Sequence, residues 1–300
     1  MLYKHMPMKN INLSTVGWRD YELLDSGDNR KLERYGSYVV IRPETQAIWK
    51  PAHAGKWQQA NAEFLWHDGK GSWTKNSIPE NWELSWNKAR FTMRLTAFKH
   101  TGIFPEQVTN WEWLQERLAK LKDANVPSAG SGQVLNLFGY TGIASIVAAQ
   151  AGARVTHVDA SKQSNTWAKE NAALSGIPEG AIRYILDDTL KFIEREVRRG
   201  SVYEGIILDP PPFGRGPNNE VWRIEEDILP LLDALQKILS PKPGAFFLLN
   251  GYAAGYSPQS FLQSVESIFT KPKGEFGELR IQESGTDRCI PAGIYVRFVR

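Results

Sequence analysis

One cysteine, Cys289, stands in 300 residues. A lone thiol makes no intramolecular disulfide and no cysteine-based metal cluster, so a reducing compartment is expected and no metal site is. No run of 18 apolar residues occurs, which excludes a membrane-spanning helix. The first ten residues, MLYKHMPMKN, lack an apolar h-region, so no signal peptide is expected. Together these absences predict a cytoplasmic protein with no membrane partner. Charge of one sign is also lacking: 36 Lys and Arg against 33 Asp and Glu leave +3, too little to name a polyanionic partner. There is no internal repeat and no low-complexity stretch. The remainder, 42% apolar and 23% charged, is ordinary globular composition in a chain long enough for two domains.

Tryptophan is abundant and unevenly placed. Nine of eleven (Trp18, Trp49, Trp57, Trp66, Trp73, Trp82, Trp86, Trp111 and Trp113) fall in the first 113 residues. Residues 1–85 read as a small β domain, with pieces such as Gly36–Arg42 and Ala47–Trp49 and turns at Ser26–Asn29, Asp68-Gly69 and Lys70-Gly71. In so small a domain large aromatics either fill a core short of aliphatic volume or form an exposed platform for stacking bases. Residues 86–300 form the second domain, with 86–130 as its connecting segment. There Lys88, Arg90, Thr92 and Arg94 alternate with Ala89, Phe91, Met93 and Leu95, giving a strand with one apolar face. Its cationic face is either a solvated edge or a phosphate-tracking stripe.

From residue 130 the pattern alternates strand, turn and helix. Strands are predicted at Val134–Phe138, Arg154–Asp159, Arg183–Leu186, Glu204–Asp209 and Ala245–Asn250, followed by Glu278–Gln282 and Ile294–Val299. Helices run from Ile143 to Ala151 and from an N-cap at Ser161 to Leu174; a Lys/Arg-rich helix ends at Gly200, and another starts at Ser257-Pro258. Such βα alternation implies an α/β fold built on a doubly wound, mostly parallel seven-stranded sheet, Rossmann-like, beside the small N-terminal β-rich domain.

Sheets of this kind bind ligands at the carboxyl ends of their strands. Four polar features fall there. Gly139-Tyr140-Thr141-Gly142 allows close approach of a ligand to backbone. Asp159, 17 residues after Gly142, stands where an acid meets a ribose diol. Asp187 or Asp188 is placed to accept from an adenine amino group, and Asp209 opens Asp-Pro-Pro-Pro-Phe-Gly-Arg-Gly216. A single Asp ending a strand is commonly a turn residue or helix cap; four in order outline a nucleoside beside a reacting group. The turn is G-x-x-G rather than the G-x-G-x-x-G of dinucleotide sites, and it is no G-x-x-x-x-G-K-[ST] phosphate loop. Ribose and adenine without phosphate point to S-adenosylmethionine.

These residues resemble a class I S-adenosylmethionine-dependent methyltransferase. More narrowly, they resemble the bacterial ribosomal RNA large-subunit methyltransferase family with 5-methylcytosine and 7-methylguanine enzymes. Val134–Gly142, Val158–Ser161, Asp187–Phe192 and Asp209–Phe213 carry the resemblance, and Gly102-Ile-Phe-Pro-Glu-Gln107 resembles the family's G-F-F-x-D-Q segment. It extends over roughly residues 86–300, and Asp25–Gly36 resembles the small β domain of a subgroup. The resemblance implies that Gly139, Tyr140, Thr141 and Gly142 line the methionine part of the cofactor, Asp159 holds the ribose, and Asp188 meets the adenine. Gln107 would support the cofactor, with Phe138, Ala160, Ser161, Asp187 and Asp209 completing the set. Asp209, Pro210, Pro211 and Phe213 would form the acceptor-side loop, with Phe213 stacking an extruded base.

One departure is informative. Methylation of cytosine at carbon 5 needs a cysteine nucleophile, which that branch of the family places after the fifth strand. Here that stretch reads Leu248–Ala253 without one, and Cys289 falls between the last two predicted strands. The expected product is therefore not 5-methylcytosine, while transfer to a base nitrogen stays open. His157 reads as a packing residue. The leading expectation is an enzyme methylating structured RNA, with ribosomal RNA as partner. A protein or small-molecule methyltransferase and a non-catalytic nucleic-acid-binding module are the alternatives. The sequence sets no oligomeric state.

Overall fold

A computed structural model describes residues 8–67, 70–75, 77–123, 132–252 and 255–300. The turn expected at Asp68-Gly69 and the residue Ala253 lie outside them. Two compact units emerge: one comprises Met1–Leu13, Asn110–Glu278 and Gly293–Arg300, the other Ser14–Thr109 and Leu279–Ala292. The expected boundary at 85/86 falls inside a tight hairpin, Asn81–Trp86 with Ala89–Arg94, whose pairing keeps both strands in one unit. The stretch expected as a connector thus holds the second strand of that hairpin and all of the helix α1, Val108–Asp123.

The larger sheet is built on β1 (Gln133–Leu137), β2 (Arg154–Asp159), β3 (Ile182–Leu186), β4 (Gly205–Leu208), β5 (Phe246–Gly251), β6 (Lys273–Gln282) and β7 (Cys289–Val299), of which residues 279–282 and 289–292 count with the other unit. They pair in the order β6-β7-β5-β4-β1-β2-β3, and two short strands, Lys9–Asn10 and Leu13–Thr15, also pair with β6, so the sheet has nine strands among the described residues rather than the seven expected. The run from β5 to β3 is parallel, and β7 joins β5 antiparallel, making the sheet mixed. The central strands are continuous apolar runs because both of their faces are covered: every residue of Gly205–Leu208 and Phe246–Gly251 is buried. On one face Leu135, Leu137, Ile206, Leu208, Phe247, Leu249, Val296 and Phe298 form a single apolar cluster.

Between the strands run α2 (Ile143–Gln150), α3 (Lys162–Leu174), α4 (Thr189–Arg199), α5 (Ile224–Ile238) and α6 (Pro258–Ile268). Ser161 caps α3 by accepting from the Ser164 N–H, and Ser257 caps α6 through Ser260. Helix α4 buries Thr189, Phe192, Ile193 and Glu196, spaced i, i+3, i+4, i+7, and stops at the left-handed Gly200. Cys289 opens β7 rather than lying between strands, because β7 starts five residues before Ile294; its thiol faces the Gln282 amide oxygen at 3.4 Å. No helix among the described residues is long and apolar enough to cross a membrane.

The other unit carries a five-stranded sheet of Tyr21–Gly27, Arg30–Tyr35, Tyr38–Pro43, Ala62–His67 and Lys70–Lys75, in that order. Asp28 and Asn29, at φ 50° and 59°, make the two-residue turn that joins the first pair. Ala47–Trp49 is not a strand. It follows Pro43 and precedes Pro51, and its carbonyls accept from the turn amides instead of a ladder: Asn29 donates to Ala47 and Asp28 to Trp49.

The tryptophans here act as staples. Five indole N–H groups donate inward: Trp18 to the Ser85 carbonyl, Trp49 to the Ser26 hydroxyl, Trp57 to the Asp25 carboxylate, Trp73 to the Thr96 carbonyl and Trp82 to the Tyr35 carbonyl, all within 3.1 Å. Trp66, 56% exposed, is the exception. Core filling with a satisfied polar handle therefore accounts for most of them. In the 89–94 strand Ala89, Phe91 and Met93 are buried as the alternation requires, and Arg90 on the other face is ion-paired to Glu83.

Candidate active site

The strand register brings the polar features to one edge of the α/β sheet. Leu137 lies opposite both Val158 and Leu208, and Asp159 lies opposite Leu186. The 138–142 turn, Asp159, Asp187-Asp188 and Asp209 therefore leave four adjacent strands at the same level.

The turn is held from below. Its floor is His157, fully buried, whose Nδ1 meets the Ser145 hydroxyl at 3.0 Å. A Cβ on Gly139 would sit 2.3 Å from the His157 ring, so only glycine lets the backbone settle there. Burial alone drives the His157 pKa down to about 3, which keeps the ring neutral and agrees with a packing role. Gly142, at φ 83°, lies against Ala168, where an added Cβ would come within 2.8 Å of the alanine methyl. Between the glycines Tyr140 adopts φ 48°, and Phe138 just before them 55°, conformations that side-chain-bearing residues hold only when the surroundings fix them. The fixing contacts are on hand. The Tyr140 N–H donates to Asp159 Oδ2 at 2.8 Å, and Asn171 donates to the Thr141 carbonyl at 2.9 Å.

Asp159 is half-buried. Its other oxygen accepts from the Ser161 N–H, and Asn165 ties the Asp159 and Ser161 carbonyls together around Ala160. Desolvation raises the Asp159 pKa despite the two backbone hydrogen bonds that lower it. At the end of β3, Asp188 N-caps α4 by accepting from the Lys191 N–H at 3.0 Å. Asp187 accepts from the Asp188 N–H and pairs with Arg195. The cap and the ion pair are local duties for both acids, whatever else they hold.

Asp209 follows β4. It is half-buried, and desolvation pushes its pKa up to about 7, so the carboxylate and the acid coexist near neutrality. Pro210 is buried, Pro211 half-buried, and Phe213 is 54% exposed at the start of a short hairpin, Phe213–Arg215 with Val221–Arg223. Gln107 ends a 3-10 turn, Pro105–Gln107, that belongs to the β-rich unit.

Trp222, which the sequence reading passed over, links two of these parts. It is only 4% exposed, its Nε1–H donates to the Pro211 carbonyl at 2.7 Å, and its ring lies 4.9 Å from that of Phe138. The available signal was its isolation: Trp222 is one of only two tryptophans after residue 113, set in a polar stretch. His157 beneath Gly139 had no such signal, since pairing across a parallel ladder leaves no trace in spacing.

Comparison with known proteins settles the class. A family model for S-adenosylmethionine-dependent methyltransferases matches residues 44–267. The chain belongs to this family. It is 41% identical to the S-adenosylmethionine-dependent methyltransferase of Agrobacterium tumefaciens, with a TM-score of 0.89 covering 98% of this chain and 96% of that one. A provisionally named methyltransferase, crystallised with S-adenosylhomocysteine, shares the fold at 20% identity and a TM-score of 0.70, over 95% and 76% of the two chains. Ribosomal RNA large subunit methyltransferases K/L of Shewanella frigidimarina and Pseudoalteromonas atlantica are 35% identical over 164 and 176 residues. Those stretches are 54% and 58% of this methyltransferase but only 21% and 23% of the relatives, so the chain spans about a fifth of their length.

The residues present fit the family's cofactor. The glycines of the 139–142 turn leave bare backbone where side chains would otherwise stand, and the raised pKa of Asp159 marks a carboxylate poorly compensated within the protein. The enzyme is thus an S-adenosylmethionine-dependent methyltransferase with an α/β fold on a mixed sheet.

Proposed function

We propose that this enzyme methylates a nitrogen of a base in structured RNA, ribosomal RNA foremost, in the cytoplasm and without a cysteine nucleophile. The observation that carries the reading is the Asp209–Phe213 loop. A carboxylate titrating near 7 stands four residues from a half-exposed aromatic ring, at the same sheet edge as the cofactor turn. The relatives named as ribosomal RNA methyltransferases support the choice of RNA. In this reading β6-β7-β5-β4-β1-β2-β3 serves as the doubly wound seven-stranded part of the nine-stranded sheet, and the β-rich segment is a separate small domain.

Phe138, Gly139, Tyr140, Thr141 and Gly142 hold the methionine part of the cofactor. Asp159, with Ala160 and Ser161, holds the ribose; Asp188, beside Asp187, meets the adenine; Gln107 is a supporting contact. When bound, the cofactor supplies a methyl group on a sulfonium. The protein's share is orientation. The Asp209 carboxylate accepts a hydrogen bond from the acceptor's amino group and turns the nitrogen lone pair toward the methyl, while Pro210 and Pro211 stiffen the loop and Phe213 stacks the extruded base. Ring or exocyclic nitrogens need no covalent activation, whereas carbon 5 of cytosine does, and the stretch after the fifth strand carries no cysteine to supply it, so 5-methylcytosine is not the product.

The test is transfer of tritiated methyl from S-adenosylmethionine to total RNA of a strain lacking the gene. Label in one RNA species, absent with Asp209→Ala although S-adenosylhomocysteine still binds, is the expected result. Label in protein or small molecules alone, or 5-methylcytosine as product, overturns it.

A further inference from the structure

The geometry points to the outer face of the Phe213–Arg223 hairpin as the seat of the acceptor strand, with Phe213 under an unstacked base and Arg215 on the phosphate beside it. This rests on the RNA reading above and adds a residue to it.

The hairpin has two unlike faces. Its register sets Phe213 opposite Arg223, Gly214 opposite Trp222 and Arg215 opposite Val221. Side chains alternate along a strand, so Trp222 points inward to the proline loop and the Phe138 ring, and Phe213, Arg215, Val221 and Arg223 share the other side. All four are exposed. The inner face locks the hairpin to the loop that carries Asp209; the outer face is left to meet something else.

The charges on this face are not equivalent. Arg223 pairs with Glu226 at 2.9 Å. Glu220, in the turn region, is taken up by Lys191 at 2.7 Å and by the Asn218 N–H at 2.8 Å. Among the described residues no carboxylate pairs with Arg215; its guanidinium lies 6.0 Å from the Phe213 ring centroid. Arg90, one of the three cations on the face of Lys88, Arg90 and Arg94 considered for phosphate tracking, is by contrast paired with Glu83. An uncompensated guanidinium beside an exposed ring is the pairing that single-stranded nucleic acid asks for: a cation for the backbone and a π-face for the base. A peptide acceptor would use the ring but has no repeating anion for Arg215.

The test measures affinity for a fluorescein-labelled, mixed-sequence single-stranded oligoribonucleotide as a function of salt, with S-adenosylhomocysteine binding as the check on folding. Arg215→Ala is expected to weaken binding several-fold at low salt and to reduce the log–log salt slope by about 0.7, one phosphate contact on a single strand. Arg215→Lys should keep the slope, and Phe213→Ala should weaken binding about tenfold with the slope unchanged. An unchanged slope in Arg215→Ala, with a salt-dependent parent, overturns the assignment and leaves the RNA reading standing. No salt-dependent binding by the parent overturns both.

Discussion

The two units differ in where their carboxylates stand. In the β-rich unit, polar groups in the interior are turned toward one another. Glu33, wholly buried, accepts from Tyr21 and Tyr35 at 2.9 Å and from Arg42 at 2.7 and 2.8 Å, with Lys31 bridging on to Glu44. The pairing makes this inevitable. Lys31, Glu33 and Tyr35 alternate along one strand, Arg42 lies across from Lys31, and Tyr21 lies across from Tyr35. Asp25 is used up similarly, by the Ser26, Ala52 and His53 amides, the Trp57 indole and Arg288. In the α/β unit the central strands are mostly apolar, with Asn136, His157, Asn250 and Arg297 among the buried polar residues, and the carboxylates Asp159, Asp187, Asp188 and Asp209 gather at one edge. There Asp159 and Asp209 have raised rather than lowered pKa values. A carboxylate whose pKa is depressed has partners that outweigh the cost of its burial; in one whose pKa is raised, desolvation outweighs them. That contrast separates structure from site more sharply than residue type does.

The comparison breaks most severely if Glu33 loses its charge. Burial raises its pKa, but Arg42, Lys31 and the hydrogen bonds from Arg42 and Tyr21 outweigh it and hold the group at about 2. Glu33→Ala would leave Arg42 buried without its anion, while Lys31 keeps Glu44, at a cost of about 3–5 kcal/mol, read as a lowered denaturant midpoint. The pH dependence follows in sign. Because the folded pKa is depressed, Glu33 contributes fully above its unfolded value of 4.5 and loses that contribution as pH falls toward 2. His157 acts in the same direction over a higher window, since it stays neutral when folded and its stabilisation fades from 6.5 toward 3. Acid midpoints of Glu33→Gln that match those of the parent would refute the first assignment.

The next effect belongs to the turn. In Gly139→Ala the new methyl meets the His157 ring at 2.3 Å, and that ring is walled in by Ser145 and by Tyr184, 5.3 Å away between centroids. Neither side gives way cheaply, so the turn shifts at a cost of about 1–3 kcal/mol. Calorimetric titration should show S-adenosylhomocysteine binding weakened at least tenfold. Unaltered affinity would mean that the turn does not line the cofactor.

Legibility in the sequence follows the same division. The strands and caps of the α/β unit were readable because both carry local signals: continuous apolar runs such as Gly205–Leu208, and Ser161 or Ser257 three residues before the amide it accepts from. The strand-end acids were readable through their order along the chain. The β-rich unit was readable only as β. Its five-stranded order depends on a parallel pairing of Tyr38–Pro43 with Ala62–His67 that no local signal encodes, and the Glu33 cluster depends on register. Ala47–Trp49 has strand-like residues but is diverted by the turn it binds. At the site, Asp188 was legible as an acid, while its capping of α4 and the Asp187–Arg195 pair needed coordinates.

The smallest expected effect probes the link between the 138–142 turn and the Asp209–Phe213 loop. Trp222→Phe keeps a ring against Phe138 but removes the donor to the Pro211 carbonyl. One lost hydrogen bond of this kind is worth about 0.5–1.5 kcal/mol. If Trp222 only fills space, that loss appears in the thermal midpoint and leaves turnover per folded molecule alone. If it positions the loop, the slackened Pro211 moves Asp209, and kcat drops several-fold while affinity for S-adenosylhomocysteine holds, because the contact to Phe138 is retained. Trp222→Leu then extends the series: with the ring gone as well, the constraint on Phe138 at φ 55° is relaxed and cofactor affinity should fall too. A series in which kcat and cofactor affinity decline together from the first substitution would place Trp222 in the general packing of the unit, with no separate hold on the Asp209–Phe213 loop.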